Sequence, residues 1–181
     1  MVMHLRKHFP AILLAAALII VASATTQTSI VATLAQSQEL GAQHGELRKV
    51  IRVVDGDTIV VSPNEKVRLL GVDTPETKHP RKAVECFGQD AKEFTRRAVE
   101  GKTITLVLDK VNTKRRHKDR YGRTLAYAYL ADGTMLNAEL IRQGYAHAYT
   151  RFPFRYLVEF RELERTARSQ SIGLWASCPL S

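Results

Sequence analysis

Carboxylates and arginines suited to phosphodiester cleavage recur in four short segments of this chain. The segments are Asp-Gly-Asp at 55–57, Arg68, Asp-Thr-Pro-Glu at 73–76 and Asp-Arg-Tyr-Gly-Arg at 119–123. Paired carboxylates can bind an oxygen-preferring divalent cation, and a guanidinium can donate to two phosphate oxygens at once. A separate glutamate can orient or deprotonate a water molecule. Together these residue types indicate chemistry on a phosphate backbone rather than on a base.

The net charge agrees with a polyanionic partner but does not identify one. The chain has 181 residues, with 27 lysines and arginines against 18 aspartates and glutamates and a net charge of +9. This length favours one domain of modest size. Basic proteins often bind nucleic acid or anionic lipid, but many bind neither. The kind of partner therefore has to be inferred from the sequence motifs rather than from the charge.

The first 24 residues have the three parts of an export signal. Arg6 and Lys7 precede the almost entirely apolar run 11–22, and an Ala-Ser-Ala cleavage site ends at Ala24. The apolar run is shorter than the roughly 20 residues needed to span a bilayer, so we expect cleavage rather than an uncleaved anchor. A second candidate cut follows Ala35. We therefore predict an exported protein, periplasmic or secreted, without a stable membrane anchor after processing.

The rest of the chain divides by composition into a leader, a domain and a tail. Residues 25–46 are rich in small and polar side chains and show no sustained period, which predicts a flexible leader. Regular apolar patterns then extend over residues 47–177 and predict one domain. Residues 178–181 form a short tail.

The domain pattern predicts five strands and three helices. Short runs rich in β-branched residues between turn signals predict strands at 50–54, 58–61, 66–72, 103–108 and 124–130. Apolar residues at spacings of three and four predict helices at 84–100, 137–143 and 156–169. We therefore expect an α+β, mainly β domain built as a small closed barrel.

Five motifs, in this order and spacing, resemble the staphylococcal nuclease (thermonuclease) family. They are Val-Asp-Gly-Asp-Thr at 54–58, Arg-Leu-Leu-Gly-Val-Asp-Thr-Pro-Glu-Thr at 68–77, Tyr-Gly-Arg at 121–123, Arg-Gln-Gly at 142–144 and Ile-Gly-Leu-Trp at 172–175. Each motif alone is weakly specific, whereas the combination is strongly specific. The resemblance implies a five-stranded OB-fold barrel with about three helices. It also implies calcium-dependent hydrolysis of DNA and RNA that leaves 3′-phosphate products.

The resemblance further implies a calcium site. Asp57 and Asp73 would bind the ion through their carboxylates and Thr74 through its backbone carbonyl, and water would complete the coordination. Each aspartate also has a simpler interpretation, because Asp57 could cap a turn and Asp73 could close a turn onto Pro75. We expect Asp55 to be a turn residue or to support the metal ligands from behind.

Three residues match the catalytic group of the family. Glu76 would act as the general base or position the attacking water. Arg68 and Arg123 would stabilise the charge that accumulates on the phosphoryl oxygens, since arginine is a permanently charged planar donor. Taken alone, the glutamate could be solvated surface and each arginine could form a surface salt bridge.

The residues that the resemblance assigns to substrate binding match the family less completely. Arg120 stands where the family usually has lysine, and Tyr121 matches a tyrosine near a terminal phosphate. Tyr149 matches a pocket tyrosine, although the family's Tyr-x-Tyr is replaced by His-Ala-Tyr-Thr at 147–150.

The loop at 110–120 is strongly basic and longer than the resemblance leads us to expect. It contains Lys-Arg-Arg-His-Lys at 114–118. Such a charge run is most often a solvated face. Beside a cleavage site it could instead follow the phosphate backbone, which would make the affinity fall with salt.

The chain has two cysteines, Cys86 and Cys178. In an oxidising compartment they could form one disulfide that pins the C-terminal tail across the barrel, and the alternative is two separately buried thiols. Two distant cysteines and six scattered histidines lack the spacing of a structural zinc site.

The sequence as a whole therefore predicts an exported, calcium-dependent nuclease, acting as a monomer on DNA and RNA that is single-stranded or locally opened. Contacts to phosphates and stacked bases predict little sequence preference. The main alternative is a non-catalytic OB-fold module that binds nucleic acid or protein. Such a module would not need Arg68, Glu76 and Arg123 together. A cationic protein of the cell envelope is a third alternative.

Overall fold

The computed structural model describes residues 45–77, 84–113 and 116–178, which all fall within one compact unit. The predicted signal peptide 1–24, residues 25–44 of the predicted leader and residues 179–181 of the tail lie outside the described residues. Lys114 and Arg115 of the basic loop also lie outside them. Within the described ranges, no helix is both long and apolar enough to cross a bilayer.

Among the described residues, seven strands form two sheets. They are β1 (Glu46–Asp55), β2 (Thr58–Val61), β3 (Glu65–Leu69), β4 (Val72–Asp73), β5 (Thr103–Leu108), β6 (Thr124–Tyr129) and β7 (His147–Ala148). Five of them close a barrel in the order β1-β2-β3-β6-β5, while β4 and β7 pair with each other. All neighbours in the barrel are antiparallel except β3 and β6, which run parallel. The predicted five-stranded barrel is therefore confirmed.

Four α-helices accompany the barrel in the part of the chain that the structure describes. They are α1 (Gly88–Val99), α2 (Leu136–Arg142), α3 (Leu157–Ser169) and α4 (Leu174–Ser177), with a short 3-10 helix at Lys110–Asn112. Helix α1 packs against β1, and α2 packs against α3. The predicted helix 84–100 begins four residues later than expected, because Phe87 has a left-handed backbone with φ of 67°. The short helix α4 was not predicted.

The predicted strand 66–72 is broken in two, and this break is important for the site. Gly71 has φ of +76°, which a residue with a side chain adopts only at a cost. The chain therefore leaves the barrel after Leu69 and forms β4, where Asp73 pairs with His147 of β7. The turn thus places Asp73 beside β3 instead of extending it along the barrel.

The barrel interior is filled by apolar side chains and joined to α2 by one buried amide. The largest fully buried side chains include Tyr127, Tyr129, Phe160, Ile59, Leu69 and Ile104. Nδ2 of Asn137 donates to the carbonyl oxygens of Leu70 and Ala126 at 3.0 and 3.2 Å, and its Oδ1 accepts the N–H of Ala128 at 2.9 Å. Leaving one such buried group unsatisfied costs about 1–3 kcal/mol, so this amide fixes α2 on the barrel.

Two glycine motifs join the end of α2 to the start of α4. The N–H of Leu174 donates to the carbonyl oxygen of Gly144 at 2.8 Å. A Cβ on Gly144 would collide with the carbonyl group of Ile172. This close backbone approach explains why Arg-Gln-Gly and Ile-Gly-Leu-Trp occur together.

Candidate active site

One guanidinium joins the two predicted metal-binding carboxylates. Asp57 lies in the turn between β1 and β2, Arg68 on β3 and Asp73 on β4. Nη1 of Arg68 forms an ion pair with Oδ2 of Asp57, and Nη2 lies 2.8 Å from Oδ1 of Asp73. The side chains of Asp57 and Arg68 are 8% and 16% exposed, whereas that of Asp73 is 50% exposed. The cluster is therefore anchored on the protein side and open at Asp73.

Short contacts hold the Asp57 carboxylate in place. It accepts hydrogen bonds from Thr58 Oγ1 at 2.8 Å and from the N–H of Thr74 at 3.2 Å. A Cβ on Gly56 would lie only 2.7 Å from the side chain of Thr74, so the turn packs directly on that residue. The Asp-Gly-Asp motif therefore supplies both a carboxylate and the close approach that fixes it.

The charges in the cluster are unequal. Burial alone would lower the pKa of Arg68, but the carboxylates of Asp57 and Asp73 outweigh it and raise the pKa above the usual value. Partial burial raises the pKa of Asp73, and the positive charge of Arg68 offsets only part of that rise. With both carboxylates ionised, one guanidinium leaves one negative charge uncompensated.

The donor atoms of this cluster fit a hard divalent cation. Asp57 and Asp73 offer carboxylate oxygens, and Oγ1 of Thr74 is buried with no hydrogen-bond partner among the described residues. In the part of the chain that the structure describes, no three His, Cys, Asp or Glu side chains form a metal cluster. Two carboxylates would thus need water and substrate oxygens to complete the coordination of such an ion.

Glu76 lies on the segment that follows β4 and is exposed. Asp55, at the end of β1, is buried and accepts two hydrogen bonds from Thr77, the residue after Glu76. Oγ1 of Thr77 donates at 3.0 Å and its N–H at 3.3 Å. Burial raises the pKa of Asp55, and a hydrogen bond with the Glu76 side chain raises it further. Asp55 thus fixes the position of Thr77 and, through it, of the segment that carries Glu76.

Arg123 reaches the cluster through a threonine. Its Nη1 lies 3.5 Å from Oγ1 of Thr58, which itself donates to Asp57. Its Nε lies 2.6 Å from Oδ2 of Asp119. Oδ1 of Asp119 accepts the N–H groups of Tyr121 and Arg123 at 2.8 and 2.9 Å. Both predicted catalytic arginines are therefore linked to the Asp57 carboxylate.

Asp119 lies in the motif at 119–123 but was not predicted to have a role in the site. Burial would raise the pKa of Asp119, but the hydrogen bonds from Arg123 and Tyr121 outweigh it and lower the pKa. The aspartate therefore remains an anion that both closes the turn and holds Arg123. The signal in the sequence was the spacing of four residues between an acid and a base.

The predicted substrate-binding residues lie in two places. Tyr121 is 65% exposed, with the guanidinium carbons of Arg120 and Arg123 at 4.7 and 5.3 Å from its ring centre. Tyr149 follows β7, and its N–H donates to the carbonyl oxygen of Gly71 at 2.9 Å. The ring of Phe152, which was not predicted to act, lies 6.2 Å from that of Tyr149 and is exposed.

The described part of the basic loop is partly neutralised. Nζ of Lys118 donates to Thr124 Oγ1 at 2.7 Å and to Glu65 Oε1 at 3.2 Å. Arg116 and His117 both have left-handed backbones. The Lys118 ammonium group is thus used in contacts within the barrel. Contact of this loop with phosphate stays a prediction.

A disulfide joins Cys86 to Cys178, with the two Cα atoms 5.9 Å apart. It connects the residue just before the start of α1 with the end of α4. The disulfide lies close in sequence to Glu85, which contacts the backbone of Glu76. A thiol titration of the unreduced protein remains the direct test of this bond.

Comparison with known proteins gives consistent matches over more than half of the chain. The model of the family described as staphylococcal nuclease homologue matches residues 66–177. A protein of Staphylococcus hyicus named thermonuclease is 36% identical over 146 residues, covering 78% of this chain and 83% of the relative. A thermonuclease of Staphylococcus intermedius is 39% identical over 137 residues, covering 72% and 77%. Endonuclease YncB of Bacillus subtilis is 37% identical over 150 residues, covering 77% and 69%.

Proposed function

This chain belongs to the staphylococcal nuclease family and is a phosphodiester-hydrolysing nuclease, and from that premise we propose that it is an exported, calcium-dependent enzyme. Its substrates are DNA and RNA, and its products end in a 3′-phosphate. The observation that carries the proposal is the convergence of Asp57, Asp73 and two arginines around one turn of the barrel.

Asp57, Asp73 and Thr74 are the residues that would hold the calcium ion. Asp57 and Asp73 would bind through their carboxylates and Thr74 through its backbone carbonyl. The supporting observations are the two carboxylates and the negative charge that Arg68 leaves uncompensated. When bound, the ion would supply positive charge that polarises the phosphate group. Calcium suits this donor set because it accepts several water ligands at flexible angles.

The two arginines neutralise the charge that develops during hydrolysis. Arg68 and Arg123 donate N–H groups to the phosphoryl oxygens, and each remains charged throughout. Loss of one such donor typically slows catalysis by about 100- to 1000-fold. Because Asp119 already holds Arg123, the position of that guanidinium is set before the substrate binds. Arg68 instead pairs with Asp57 and Asp73, which it must share with the bound cation.

Glu76 prepares the attacking water. The water oxygen forms a bond to phosphorus, Glu76 accepts or directs the departing proton, and the bond from phosphorus to the 5′ oxygen breaks. The electron pair of that bond leaves with the 5′ oxygen, which takes up a proton. The phosphate therefore stays on the 3′ side.

Exposed rings and phosphate-directed cations suit a substrate without a fixed base sequence. Tyr121 and Tyr149 can stack on bases, and Arg120 adds a cation near the backbone. Stacking needs an accessible base face, so single-stranded or locally opened DNA and RNA are the expected substrates. The enzyme acts as a monomer.

Export follows from the signal at residues 1–24 and suits the cysteine pair. We place the cleavage after Ala24 and the enzyme in the periplasm or outside the cell. A disulfide between Cys86 and Cys178 persists in such oxidising compartments.

The test is digestion of single-stranded DNA and RNA by the exported protein with calcium, with magnesium and with a chelator. We expect cleavage only with calcium, products that resist 3′ extension until a phosphatase is added, and loss of activity in Arg68→Ala. Activity that survives the chelator would reject calcium dependence. Binding without turnover in every condition would favour the binding module instead.

A further inference from the structure

Two reciprocal hydrogen bonds connect Glu76 with Glu85. The N–H of Glu76 donates to Oε2 of Glu85 at 2.9 Å, and the N–H of Glu85 donates to the carbonyl oxygen of Glu76 at 3.0 Å. The first bond uses the side chain of Glu85 and the second its backbone. Residue 85 therefore fixes both polar backbone groups of residue 76.

The start of α1 packs against the backbone of residues 75 and 76. A Cβ on Gly88 would lie 3.0 Å from the carbonyl oxygen of Pro75 and 3.3 Å from that of Glu76. The Phe87 ring stacks on Tyr145, with the ring centres 5.5 Å apart. Residues 85–88 thus form a platform directly against the backbone that carries Glu76.

The disulfide is the covalent anchor of this platform. Cys86 immediately follows Glu85, and its partner Cys178 is the C-cap of α4. Both Glu85 and Cys86 are exposed, so water competes for the two hydrogen bonds of Glu85. An exposed pair of hydrogen bonds holds a fixed geometry better when its chain is tethered close by.

We propose that Glu85 is a positioning residue for Glu76 and that the Cys86–Cys178 disulfide holds Glu85 in place, so that the rate of hydrolysis depends on the oxidation of this pair. The inference rests on the function proposed above for Glu76. A dithiol reductant delivers two electrons and two protons to the disulfide, which becomes two thiols, while the dithiol becomes a disulfide. The platform then loses its anchor without any change in the catalytic side chains.

The experiment compares kcat and KM for the full exported protein and six variants on single-stranded DNA with calcium. Glu85→Ala removes the acceptor, whereas Glu85→Gln keeps an amide oxygen for the N–H of Glu76. The double variant C86S/C178S removes the disulfide. Glu93→Ala is the matched control, because Glu93 is an acid in the middle of α1 whose ion pairs, among the described residues, are with Arg96 and Arg97 of the same helix.

We expect Glu85→Ala to lower kcat by about ten- to 100-fold with KM within about twofold, as for a misplaced catalytic group. Glu85→Gln restores most of the rate, and Glu93→Ala leaves it unchanged. A dithiol slows the wild-type enzyme to the rate of C86S/C178S, which itself no longer responds to the dithiol. Combining Glu85→Ala with C86S/C178S adds little further loss, since both act on one element.

Thermal melting of each variant sets an assay temperature at which all of them are folded. Equal kcat values for wild type and Glu85→Ala, or a wild-type rate indifferent to the dithiol, would overturn the inference while leaving the nuclease proposal intact. A wild-type protein that does not cleave would overturn both. A Glu76→Ala variant with full activity would overturn the inference together with the role proposed for Glu76.

Discussion

Nε of Arg123 lies 2.6 Å from Oδ2 of Asp119, and the other oxygen of that carboxylate accepts the N–H of the same arginine. One aspartate thus fixes the backbone and the side chain of a predicted catalytic residue. An arginine side chain has several rotatable bonds and loses conformational entropy when it is ordered. Because Asp119 already orders Arg123, less of this entropy is lost when the substrate binds. Asp119 is therefore expected to affect the rate although it need not touch the phosphate.

Asp119→Ala should lower kcat by about ten- to 100-fold, because Arg123 loses its orientation. Asp119→Asn keeps an acceptor for the N–H groups of the turn but loses the charge, so it should fall between wild type and Asp119→Ala. Steady-state kinetics at saturating calcium measure both variants.

Asp132 provides a matched control for the turn contribution of Asp119. Its Oδ1 accepts the N–H of Thr134 at 2.9 Å in the turn between β6 and α2. Asp132→Ala should lower the melting temperature slightly and leave kcat unchanged. A similar loss of kcat in both alanine variants would show that Asp119 matters only for folding.

Much of the barrel could be predicted from the sequence because its signals are local. Strands 58–61 and 103–108 were predicted with the bounds that the structure gives, since β-branched runs and turn residues mark them clearly. The prediction of one continuous strand at 66–72 was wrong, because the chain turns at Gly71, which has a positive φ. Strands β4 and β7 have two residues each, too few for a periodic pattern.

Site residues could be predicted where they belong to a sequence motif. Residues whose role depends on a contact between distant segments could not. Asp57, Arg68 and Asp73 were chosen from their motifs, and the structure brings them together. The contacts of Glu85 depend on how a loop folds back, which no spacing rule specifies, whereas the spacing of four residues between Asp119 and Arg123 was a usable signal. The assigned chemistry of all these residues stays a prediction until it is measured.

Glu65 should make the stability depend on pH in the acid range. Hydrogen bonding from Thr124 and the charges of Lys118 and Arg48 lower its pKa below the usual 4.5. Such a carboxylate stabilises the fold fully above its unfolded pKa, and the contribution disappears as the pH falls through the folded pKa. Glu65→Gln should therefore cost about 1–2 kcal/mol at pH 7 and less at pH 3.

Denaturant unfolding at the two pH values measures this difference. Glu93→Gln is the control, because Glu93 pairs with Arg96 on the exposed face of α1. It should change the stability little at either pH. A Glu65→Gln penalty that is equally large at pH 3 would contradict the assignment to the ionised carboxylate.

Gly144→Ala should destabilise the fold more than Gly101→Ala does. Both glycines have positive φ, 68° and 77°, so each substitution carries the left-handed cost of about 1–2 kcal/mol. Only at Gly144 does the new Cβ meet the backbone of Ile172, whereas no atom lies within 4 Å at Gly101. Denaturant unfolding should therefore show a larger loss for Gly144→Ala, and equal losses would contradict the close packing of α4 on α2.

Arg68→Ala should bind calcium more tightly than the wild-type protein while losing turnover. In the structure the Arg68 guanidinium pairs with both Asp57 and Asp73, so a cation must compete with it for those carboxylates. Removing one positive charge next to the site should strengthen calcium binding by about tenfold, which corresponds to about 1.4 kcal/mol. Calorimetric titration without substrate measures the affinity.

Arg123→Ala separates this competition from a general charge effect. Arg123 pairs with Asp119 and reaches Asp57 only through Thr58. Its removal should also abolish turnover, but it should change the calcium affinity by no more than about twofold, because no metal-binding carboxylate is released. Unchanged or weaker calcium binding in Arg68→Ala would show that Asp57 and Asp73 do not form the metal site, since a guanidinium that neutralises the ligands must weaken cation binding there.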